Sequence, residues 1–136
     1  MKIKIGFILL ILVGLTECLF CFDSEKVSRT IQLLNSNQYD EVISLLKNNG
    51  TDNEILLAIA YVEKRDLVNA KNYAQQSLRR DSQNVVANYI LAQIYEEERD
   101  YNTAINYWEK VLYYAKDKTV KSLAKKHCEV LKMLSK

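Results

Sequence analysis

The chain has 136 residues, with no proline, three glycines, 49% hydrophobic residues and a formal charge of +2. That length fits one small domain, and the near-lack of proline and glycine excludes a turn-rich β-sandwich, which needs such residues about every ten positions; an all-α fold is expected. Charge is divided along the chain: residues 1–21 carry a net +1, residues 22–115 hold ten basic and fourteen acidic side chains for −4, and residues 116–136 set seven lysines against two acids for +5. Only the last stretch is a basic patch, and it is too short for a domain-wide nucleic-acid footprint.

At the N-terminus, Lys2 and Lys4 precede an uninterrupted apolar run from Ile5 to Leu15, followed by Thr16 and Glu17. A positive start and a short apolar stretch are the layout of a secretory signal, and the run is well short of the roughly 20 residues a membrane-spanning helix takes. Three fates are open for residues 1–21. One is cleavage, with Gly14-Leu15-Thr16 nearest to a processing site. Another is retention as a membrane anchor, in which Glu17 is a costly inclusion. The third is lipidation: Leu15-Thr16-Glu17-Cys18 resembles a bacterial lipoprotein processing box, which implies a lipid on Cys18, although Glu17 stands where that box has a small residue. Export is common to all three, so the expected location is the bacterial periplasm or the extracytoplasmic side of a membrane. Cys18 and Cys21 form a C-x-x-C with no second pair downstream, and they are read as two small apolar residues of the signal.

Residues 23–50 predict two helices. Ile31, Leu33 and Leu34 give the first an apolar side, and Asn49-Gly50 stops the second, where glycine accepts a left-handed turn. Asn49-Gly50-Thr51 also matches a glycosylation acceptor, but the helix-stop reading is preferred.

Residues 51–84 and 85–118 align on each other without a gap, each thirty-four residues long. Leu57-Ala58 falls on Leu91-Ala92, Tyr61 on Tyr95, Arg65-Asp66-Leu67 on Arg99-Asp100-Tyr101, Ala70 on Ala104, and Asn72-Tyr73 on Asn106-Tyr107. Each block reads as a helix pair. The alanines are small where two helices approach, while Tyr61, Tyr95, Tyr107 and Trp108 fill the space between pairs. Lys64-Arg65-Asp66 and Glu98-Arg99-Asp100 supply polar turns, and Asp81 and Ser82 are candidate caps for the next helix. Asn37–Ile43 mimics Arg99–Ile105, with Val42 in the alanine position, so residues 23–50 form a shortened copy.

This pattern resembles the tetratricopeptide repeat, a helix–turn–helix unit of the same length. The resemblance rests on the large–small pair in the first helix, the tyrosine one turn later and the alanine that opens the second helix. Trp108 matches the aromatic that follows, and Ala74 stands there in the earlier block. Glu54 and Asn88 occupy the leading tryptophan position, and Ser82 and Lys116 replace the terminal proline. The resemblance implies a short right-handed α-solenoid. It would have a degenerate repeat at 23–50, repeats at 51–84 and 85–118, and a C-terminal capping helix at 119–136.

In that last segment Val120, Leu123, Ala124, His127, Leu131 and Leu134 share one side of a helix, with lysines elsewhere. Cys128 is read as a small buried residue, and His127 as a packed one, because no further metal ligand lies at a useful spacing. Glu96, Glu97, Glu98 and Asp100 form the densest acidic run, taken as a solvated helix end rather than an acid–base pair. Lys116, Lys118, Lys121, Lys125 and Lys126 suit a solvated helix end, or contact with anionic lipid headgroups or an acidic partner.

No phosphate loop, nucleophile elbow or H-E-x-x-H motif is present in the sequence. The expectation is therefore a noncatalytic scaffold without cofactor or metal, acting on neither a small-molecule substrate nor nucleic acid, and associated with a membrane through its N-terminus. Its protein partner, an extended segment or a helix, is expected in a groove along the first helices, formed by Ile55, Ile59, Val62, Val86, Tyr89, Gln93 and Glu96. The competing reading of these residues is ordinary core between repeats, which fits Ile59 and Val62 equally well. A chaperone-tail clamp is not expected, since Ile55, Ile59 and Ile90 stand where that subtype has charged or amide groups. The alternative is a structural envelope protein that self-associates by repeat stacking.

Overall fold

The computed structural model describes residues 24–48 and 53–135. Seven helices follow one another in these residues: α1 (Ser24–Asn35), α2 (Tyr39–Asn48), α3 (Glu54–Glu63), α4 (Leu67–Arg80), α5 (Val85–Glu97), α6 (Tyr101–Tyr114) and α7 (Lys118–Leu134). Residues 1–21, where an export signal and lipidation at Cys18 are expected, and the expected Asn49-Gly50 helix stop lie outside the described residues. Each helix packs on the next in chain order, and α3 also meets α5. This sequential all-α packing is consistent with a helical repeat array.

The turns show why the chain folds back at regular intervals. Asn37, Arg65 and Arg99 follow α1, α3 and α5, and they adopt φ of 59°, 64° and 61°. In each turn the left-handed residue donates its N–H to a carbonyl three residues back: Leu34, Val62 and Glu96. The next residue donates to a carbonyl five back: Leu33, Tyr61 and Tyr95. This is the Schellman arrangement, which satisfies the helix's last carbonyls and reverses the chain. In the second and third turns an aspartate then caps the new helix. Asp66 accepts from the Asn69 N–H at 3.1 Å, and Asp100 from the Thr103 N–H at 3.2 Å.

The caps that open α5 and α7 complete the boundaries. Asn84 caps α5 by accepting from the Ala87 N–H at 3.0 Å, and Asp117 caps α7 by accepting from the Thr119 and Val120 N–H groups. The expected caps for α5, Asp81 and Ser82, come too early by two to three residues. Asp81 instead braces the preceding turn by accepting from the Gln83 N–H at 3.0 Å.

Small residues let the helices close. Ala58, Ala70, Ala92, Ala104 and Val42 are all fully buried. Between them, Tyr61 stacks on Tyr73 with ring centres 5.5 Å apart, and Tyr95 stacks on Tyr107 at the same separation. The two stacks are thirty-four residues apart, so the repeat visible in the sequence reappears as one contact made twice.

Candidate functional site

The stripe expected to form a groove is mostly enclosed. Ile59, Val62, Val86 and Tyr89 are 4%, 2%, 0% and 3% exposed. Gln93 is buried as well, and only Ile55 and Glu96 are half-exposed. On α5 every residue from Val86 to Ile94 is buried. At about 100° per residue, nine consecutive residues face every direction, so α5 is surrounded.

Contacts at the α5 end of the stripe show what surrounds it there. Tyr89 meets Trp108 of α6 edge-on, with ring centres 5.2 Å apart. His127 of α7 stacks on Trp108 at 4.3 Å. Glu96 Oε2 accepts from Trp108 Nε1 at 3.1 Å and lies 2.9 Å from His127 Nδ1. The stripe is thus a seam that joins α5, α6 and α7 through one carboxylate and three rings.

Burial drives the Glu96 carboxyl upward, but the hydrogen bonds from His127 and Trp108 outweigh it and hold the group below its ordinary value. Burial, reinforced by the Glu96 charge, pushes the Tyr89 hydroxyl up to about 12, against a hydrogen bond from Gln93. At neutral pH the seam therefore holds an ionised carboxylate beside a neutral phenol. Neither is poised for proton transfer near pH 7. Gln93 Oε1 is buried with no hydrogen-bond partner.

Two more carboxylates of the acidic run are tied into inter-helix pairs rather than simply solvated. Glu97 pairs with Arg65 at 3.0 Å, and Glu98 with Lys71 at 2.6 Å. Both pairs join successive helix pairs. The residue thirty-four before Glu97 is Glu63, and the turn residue matching Arg65 in the shortened copy is Asn37. Asn37 accepts a hydrogen bond from Tyr39 at 2.6 Å, while Glu63 Oε1 is buried without a partner. Burial raises the Glu63 carboxyl accordingly. Asn37 brings no cation to this turn, where Arg65 brings one to Glu97.

Among the described residues, no group of three or more His, Cys, Asp or Glu side chains is placed to hold a metal ion. Cys128 is buried and free. No helix among them is long and apolar enough to cross a membrane. The chain matches no family model and no curated protein.

Two features of the seam were not anticipated from the sequence: the clasp of Glu96 on His127, and the packing of His127 against Trp108. A signal for both was present, because His127 lies thirty-four residues after Gln93 and sixty-eight after Ile59. Carrying the repeat register one block further places α7 in the role of a first helix, with Leu123, His127 and Val130 following Tyr89, Gln93 and Glu96.

Proposed function

We propose that the chain is a noncatalytic protein-interaction module of tetratricopeptide type, a short right-handed solenoid closed by α7. In this reading it is exported and held at a membrane through residues 1–21. The observation that carries the reading is the recurrence of one turn geometry at Asn37, Arg65 and Arg99. A chain that invests in repeated helix pairs builds an extended side surface rather than a catalytic pocket.

The partner segment lies along the line of the first helices. Burial of Ile59, Val62, Val86, Tyr89 and Gln93 makes them the floor that fixes helix spacing. Contact then falls to the half-exposed rim: Ile55 on α3, Glu96 on α5 and Leu123 on α7. Apolar side chains at both ends and a carboxylate between them suit an aliphatic segment carrying one basic residue.

Partner capture by the full chain from membrane extract tests this proposal. Ile55→Asp and Leu123→Asp should each abolish capture while leaving helical circular dichroism unchanged, and a Tyr113→Ser control should capture normally. Capture unaffected by both aspartates would remove the proposed surface.

A further inference from the structure

The turns after α1 and α3 are built alike, but they meet the helix that follows each pair differently. Asn37 and Arg65 are the left-handed residues of the two turns, and Glu63 and Glu97 end the helices that follow, α3 and α5. Arg65 reaches Glu97 at 3.0 Å; its side chain is 59% exposed and that of Glu97 26%. The guanidinium therefore lies on the solvent side of a partly covered carboxylate. At the earlier junction the carboxylate is present, and Asn37 brings no cation to it. Burial, and then the Glu63 charge, raise the Tyr39 hydroxyl, which sets Glu63 beside the Asn37 turn. There Asn37 accepts from Tyr39 at 2.6 Å, while Glu63 is half-buried with Oε1 unpartnered. The two basic residues next in sequence are engaged elsewhere, Lys64 with Asp40 at 2.5 Å and Arg65 with Glu97.

We propose that the junction of α1, α2 and α3 binds an arginine side chain of a partner protein, with the Glu63 carboxylate as its acceptor. The Arg65–Glu97 pair is the template. Within this same chain it shows which group covers the equivalent carboxylate, and that the group comes from the solvent side. Charge selects a cation, because a partly buried carboxylate without a partner is costly. The planar guanidinium suits the place, since it can donate to the carboxylate while its other N–H groups stay in water. Burial raises the Glu63 carboxyl, so an arriving guanidinium favours the ionised form and reverses that shift. Glu63 ends α3 at the opposite end from Ile55, and the site does not depend on the rim proposed above.

Carbon-13 NMR of the full chain, labelled at the glutamate carboxyls, tests the proposal with N-acetylarginine amide as the probe. The resonance missing from Glu63→Gln identifies Glu63. At saturating probe its titration midpoint should fall by about one unit, and N-acetylcitrulline amide in matched salt should leave it unmoved. Asn37→Arg, which supplies the guanidinium from the turn itself, should lower the midpoint without probe and abolish the response to it. Arg65→Asn should do the reverse at the other junction, making Glu97 responsive where it is silent in the wild type. Retained helical circular dichroism would show that both variants fold. Three outcomes would overturn the proposal. One is a Glu63 midpoint that does not move with the probe. Another is an equal movement with citrulline or at every glutamate, which would mark general screening. The third is a full response to the probe in Asn37→Arg, which would place the bound cation elsewhere.

Discussion

Glu96 shows most clearly how single residues set the behaviour of this protein. Its carboxylate is the acceptor for both Trp108 and His127, so it fastens α7 to the two preceding helices at once. Hydrogen bonds to a charged group contribute about 1.5–3 kcal/mol each, and more is lost when one partner is removed alone. A carboxyl held below its ordinary value adds stability above its unfolded value of about 4.3, and that stability is lost as pH falls through the folded value. Glu96→Gln should therefore be less stable than wild type by roughly 1–2 kcal/mol at pH 7. The gap should narrow as pH falls below the ordinary carboxyl value of about 4.3. Urea titrations of both proteins across that range would check it, and a gap independent of pH would show that the carboxylate's charge is irrelevant. Glu63 has the opposite sign: its carboxyl is raised by burial, so ionisation there costs stability at neutral pH.

The helix pair is the natural unit at the next scale, and its turn is the feature repeated most faithfully. All three turns hold a non-glycine residue at positive φ, a conformation that costs an L-residue roughly 1 kcal/mol. The turn persists because the two closing hydrogen bonds and, in the second and third turns, the aspartate cap of the following helix over-determine it. Arg65 recovers part of that cost through its ion pair with Glu97. Arg99→Gly should consequently raise stability by about 0.5–1 kcal/mol, and Arg99→Val should lower it, because a β-branched side chain fits this region worst. Thermal or urea unfolding measures both, and a loss on substitution by glycine would show that the arginine side chain matters more than its backbone. The turn sites were legible in the sequence from the recurring Arg-Asp pairs. The cap of α5 was not, because Asp81, Ser82 and Asn84 are all competent caps, and only the path of the loop selects Asn84.

At the scale of the described helices, packing runs between neighbours in the chain, and the N-terminal helix has the least of it. The centre is α5, buried on all sides from Val86 to Ile94, with α6 contributing Ala104, Ile105, Trp108 and Val111 to the core. In α1, by contrast, Thr30 and Leu34 are the buried residues among the described side chains, and its turn lacks the arginine that would pair with Glu63. Elements with few buried apolar contacts open locally before the core does. Hydrogen exchange should be slowest in α5 and α6 and at least about tenfold faster in α1. Uniform protection across all seven helices would mean that the chain opens as one unit.

The sequence by itself determined the all-helical character, the thirty-four-residue register, the turn positions and the small residues at helix crossings. Each of these depends on local chemistry or on periodicity within one helix, which a linear chain displays in full. Only the tertiary structure decided the fate of Tyr89, Gln93 and Glu96. Helical spacing assigns them to one face but says nothing of what lies against it. That depends on Trp108 and His127, twelve and thirty-one residues after Glu96, and on how closely α6 and α7 return. The same packing decided the division of the lysine-rich last helix: one side is drawn into the seam, and the neighbouring side leaves Val130, Met133 and Leu134 exposed.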